Sequence, residues 1–71
     1  MQDLTNADRA ARVRGAVERY ASTADYAAEE ISTVLVDFVT DLRHYVDVVG
    51  ADWADVERMA TVHFVAERAG E

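Results

Sequence analysis

Apolar residues recur every three or four positions through most of the chain. Ala10, Val13, Val17, Tyr20, Ala24, Ala27, Ile31, Val34 and Phe38 form one stripe. Leu35, Leu42, Tyr45, Val46 and Val49 widen it toward residue 50. That spacing is the signature of an amphipathic helix, whereas a strand needs alternation, and none is sustained. Asp25, Glu29, Thr33, Thr40, Arg43 and Asp47 fall on the other side.

A start is expected at Thr5 or Asn6, with Asp8 favourably placed near the positive end of the helix. Asp8 with Arg12, Arg14 with Glu18 and Arg43 with Asp47 are four apart, so each pair adds a few tenths of a kcal/mol (~0.3) to a helix. Gly15 lies off the stripe and costs about 1 kcal/mol against alanine. The stripe keeps its phase across "ASTADY", which favours a near-continuous helix about 60 Å long. The alternative is a break at residues 21–24, where Ser22 or Thr23 caps a second helix and Asp25 sits in its first turn.

Gly50 is the expected terminator, because glycine takes the left-handed conformation without steric cost. Asp52 then reads as the N-cap of a last helix from about Trp53 to Ala69, closed by Gly70. Trp53, Val56, Met59, Ala60, Val62, Phe64 and Ala66 make its apolar side. So short a link forces an antiparallel hairpin. Counting from the turn brings Ala60 near Leu42, and His63 and Phe64 near Phe38 and Asp41. The expected fold is all-α: a long amphipathic helix and a C-terminal helix in an antiparallel hairpin, assembled into a helical-bundle oligomer.

Size sharpens that expectation. With 71 residues the chain is a single small domain, 1–71, and its core is marginal in isolation. Cysteine is absent, so neither a disulfide nor a thiolate zinc site can supply the missing stability. Oligomerisation is the remedy left. If the last helix reaches back only to about residue 35, Val13, Val17 and Tyr20 have no cover within a continuous helix. Val13, Val17, Tyr20, Ile31, Val34 and Phe38 are therefore the candidate interface.

Charge narrows the partners. The net charge is -7. Residues 1–20 carry four arginines and three acids (+1), and residues 21–71 carry three arginines and eleven acids (-8). Such acidity disfavours nucleic acid and anionic membrane and suits a basic protein. No apolar run reaches the ~20 residues of a membrane span. The opening "MQDLTNADRA" is unlike a secretory leader, so a cytoplasmic protein is expected.

Candidate chemistry is sparse. Asp41 and His63 can meet as a buried polar pair; a metal pair or catalytic dyad at His63 lacks a third ligand or nucleophile. Asp37, Asp41 and His44 are the one set on which a metal-dependent hydrolase can be built, but on a bare helix face nothing pre-organises them. Glu29 and Glu30 are adjacent, and no Glu-x-x-Glu pair of the all-α pyrophosphohydrolase kind occurs. No Gly-rich phosphate loop or Gly-x-Ser-x-Gly is present. No cofactor is implied. Arg9, Arg12 and Arg19 share a flank where an anion, a nucleotide-like ligand held between protomers, or an acidic protomer can be met. Trp53 either caps the hairpin core or serves as an interface anchor.

Asp41, Leu42, His44, Asp47, Gly50, Asp52, Trp53, Ala60 and His63 stand in a pattern that resembles short uncharacterised helical proteins of actinobacteria and their phages and plasmids. The resemblance covers about a third of the chain. It implies an accessory protein, phage-borne in some cases, and no activity. The reading that follows is a non-enzymatic interaction module acting as an acidic helical homo-oligomer, such as an inhibitor of a basic host protein. A nucleotide-sequestering oligomer is the alternative, and the metal-dependent hydrolase stands behind both.

Overall fold

A computed structural model describes residues 4–23 and 30–70. Three helices follow one another: α1 (Asn6–Thr23), α2 (Ile31–Val48) and α3 (Trp53–Ala69). No strand occurs among the described residues.

Each helix start has its own local chemistry. At α1, the Thr5 hydroxyl accepts from the Asp8 N–H (3.1 Å) and the Asp8 carboxylate accepts from the Thr5 N–H (3.1 Å). This is a reciprocal capping box with Asp in the usual Glu position. The Thr5 N–H first, and the Thr5 hydroxyl after it, hydrogen-bond the Asp8 carboxylate and hold it below its ordinary 3.8. At α2, Glu30 precedes the first turn in an extended conformation and its side chain makes no capping bond. At α3, Asp52 accepts from the Ala54 N–H at 3.0 Å.

The corner between α2 and α3 agrees with the sequence residue by residue. Gly50 has φ +79°. Its N–H donates to the Asp47 carbonyl (3.1 Å), and the Ala51 N–H donates to the Val46 carbonyl (3.0 Å). This pair of bonds is a Schellman closure, which satisfies carbonyls that the end of a helix otherwise leaves open. Two residues later Asp52 starts the next helix.

The near-continuous first helix is not what forms. α1 and α2 are separate, and the Tyr20 and Phe38 rings meet edge to face at 5.2 Å. In one straight helix those residues would stand about 27 Å apart. Ser22 and Thr23 lie in the last turn of α1 and do not cap the second helix. Ala24 and Asp25 of the expected break lie outside the described residues. The misleading continuity of the stripe rests on Ala24 and Ala27, and alanine contributes little apolar area whichever way it faces.

α1 also does not run back along α2. Val13 and Val17 border the groove that holds Ile31 and Leu35, while Tyr20 meets Phe38 and Asp41. Residue numbers rise together, so α1 lies across α2 in the same sense and not antiparallel to it. Its N-terminal end reaches the far end of α3, where the Asn6 side-chain amide donates to the Glu67 carbonyl (3.2 Å) and Arg9 pairs with Glu67 (3.4 Å). The Arg9 guanidinium also donates to the Asn6 side-chain oxygen at 2.8 Å.

Candidate interaction surface

Burial is confined to three side chains among the described residues: Val17, Val34 and Val46. Val17 and Val34 lie on α1 and α2, and Val46 lies near the corner. α3 buries none. Among the described residues fifteen large apolar side chains stay exposed. The chain presents 5956 Å² to solvent, against about 4,400 Å² for a compact folded chain of this mass. Its radius of gyration is 14.1 Å, against about 11 Å for a compact domain of this length. The molecule is open, and its extents are 38 × 30 × 20 Å.

The exposed apolar side chains concentrate along α2. Ile31, Leu35, Val39 and Leu42 follow at intervals of four, four and three, so they share one face. At its Ile31 and Leu35 end the face borders a groove of about 430 Å³ that Val13 and Val17 also line. At its Val39 and Leu42 end it borders a groove of about 360 Å³, walled by Trp53, Val56, Ala60 and Phe64. Leu42 and Ala60 border this second groove together, the level at which counting from the turn placed them. A third hollow, about 460 Å³, opens between Asn6 and Arg9 of α1 and Phe64 and Arg68 of α3.

The six residues expected to form an interchain seam divide. Val17 and Val34 are buried within the chain, and Tyr20 and Phe38 are half-buried against one another. The crossing of α1 over α2 supplies the cover that a continuous helix lacks. Val13 and Ile31 remain exposed, at 49% and 63%.

Asp41 and His63 do not form a buried pair. Both are exposed, and no polar or charged side chain is buried among the described residues. Asp41 instead accepts from the Tyr20 hydroxyl at 2.6 Å. On α3, Ala60 and Phe64 turn into the groove beside α2, and His63 does not border it.

The three arginines separate as well. Arg9 is committed to Glu67 and Asn6, and Arg12 and Arg19 are exposed and border none of the three hollows. Arg68, at the hollow beside Arg9, had no signal in the sequence, because only the crossing of α1 brings its helix there. Among the described residues no three His, Asp or Glu side chains lie close enough to hold a metal ion; Asp37, Asp41 and His44 do not converge. Trp53 is half-buried, borders the second groove and carries the Arg43 guanidinium 5.6 Å above its ring. No described helix is long and apolar enough to cross a membrane.

No protein-family model, curated protein or solved structure matches the chain.

Proposed function

We propose that this protein is a non-enzymatic interaction module that works as an acidic helical oligomer. One observation carries the reading: among the described residues the helices bury only Val17, Val34 and Val46, while fifteen large apolar side chains are exposed. A helix of 17 or 18 residues draws most of its stability from burying one face, so the apolar surface left open is surface for another protein. The net charge of -7 keeps the assembled particle soluble and attracts basic partners. An accessory or inhibitory role in a phage- or plasmid-bearing actinobacterium fits the pattern from Asp41 to His63.

Sedimentation equilibrium from low to high micromolar concentration tests the assembly. The expected result is a mass above 7.9 kDa, with helicity falling as the oligomer is diluted. A stable, fully helical monomer across that range rejects the reading.

A further inference from the structure

We propose that a second copy of this chain seats on the open face of α2, over Leu35 and Leu42, to form a two-fold pair. This rests on the reading that the chain assembles, and it names the surface and the partner.

Three observations converge on that face. The first is its shape. Ile31 and Leu35 line the groove against α1 and Val39 and Leu42 line the groove against α3, so the row of four runs from one groove into the next. A continuous apolar row with grooves opening along it is a surface that the ridge of another helix fits. The outer side of α3 also exposes Val62 and Val65, but neither borders a described hollow.

The second observation is area. The surface of 5956 Å² exceeds that of a compact chain of this mass by roughly 1,500 Å². A stable interface takes about 800 Å² from each partner. One such contact therefore fits within the excess.

The third observation is charge. The ridge has no ionisable side chain. Of the acids that border its two grooves, Glu18 pairs with Arg14 at 3.1 Å, which leaves Glu57 at the edge. A basic partner finds little to recognise here, whereas a neutral apolar ridge matches its own copy. A two-fold contact uses the same patch twice and closes without leaving an open end. Because each copy carries -7, their bodies repel, and added salt should tighten the pair by screening that repulsion.

The experiment uses the whole chain. Wild type, Leu35→Glu and Val62→Glu are compared by sedimentation equilibrium at low and high salt. Hydroxyl-radical footprinting of the wild type alone locates the protected side chains. The expected result is a wild-type dimer that tightens with salt, a dissociation constant raised at least about 30-fold by Leu35→Glu, and little change in Val62→Glu. Leu35 and Leu42 should be protected relative to Val62 and Val65. The footprint stands even if Leu35→Glu fails to fold. A monomeric wild type overturns both the assembly and this surface. A dimer with Val62 and Val65 protected, and Leu35 and Leu42 labelled, overturns the surface alone.

Discussion

The α2–α3 corner and the attachment of α1 are held by different kinds of interaction. At the corner everything is local: Gly50, two backbone bonds to Val46 and Asp47, and the Asp52 cap lie within seven residues. The described contacts of α1 with the rest of the chain are long-range. They include the Val17 burial, the Tyr20–Phe38 ring contact, the Tyr20–Asp41 hydrogen bond, and the Asn6 and Arg9 contacts with Glu67. Local chemistry sets a direction cheaply, because few chain configurations are lost in making it. Long-range contacts must first offset the entropy of closing the intervening chain. The corner should therefore persist under conditions that release α1.

The largest expected effect tests the weaker side. Val34 is 3% exposed, and Val34→Asp places a charge in the small core, one turn from the Tyr20–Phe38 ring contact with α1, at a cost of about 3 kcal/mol or more. Far-UV circular dichroism should show loss of the α1 share of the helix, since 18 residues released from packing are marginal alone. Full helicity in this variant would mean that α1 does not depend on α2.

Next comes the corner itself. Gly50→Val should cost about 1–2 kcal/mol, because a β-branched residue resists positive φ. Nothing lies within 4 Å of a Cβ built at Gly50, so the cost comes from the backbone and not from crowding. Gly50→Asn should then recover most of the stability, since asparagine visits this region. Equal melting temperatures for valine and asparagine would contradict a conformational origin.

A smaller change of opposite sign is expected within α1. A Cβ at Gly15 also meets nothing within 4 Å. Gly15→Ala should stabilise the helix by about 1 kcal/mol, raising the denaturant midpoint for α1 more than for the corner.

The smallest effect is one of pH. Asp8 has a folded pKa below its ordinary 3.8 because its carboxylate accepts hydrogen bonds from the Thr5 N–H and, second, from the Thr5 side chain. A lowered folded pKa contributes stability that is complete above about pH 4 and is lost as pH falls through the folded value. The difference between wild type and Asp8→Asn, measured from pH 5 down to pH 2, should shrink across that window. A constant difference would place the cap's stabilisation elsewhere than in the charged carboxylate.

Legibility in the sequence follows the same division. Thr5 with Asp8, Gly50 and Asp52 act on neighbours within four residues, so their meaning could be read directly. The connection between α1 and α2 could not: Glu30 begins α2 without a side-chain cap, and Ala24 and Ala27 carry the apolar phase across the break. Tyr20 and Asp41 are 21 residues apart and meet only once α1 crosses α2. That encounter removed Asp41 from the expected pair with His63. Leu35 and Leu42 were legible as apolar positions, but which apolar positions the chain would leave uncovered depended on the crossing.

The position of the one tryptophan makes the two halves separately visible to light. Trp53 is half-buried at the corner, with Arg43 against its ring, and no other indole competes with its emission. Its fluorescence therefore follows the α2–α3 corner, whereas the peptide absorption near 220 nm sums over all three helices. Two melting curves from one cuvette that fail to superimpose would resolve the release of α1 from the opening of the hairpin, with no label attached to either.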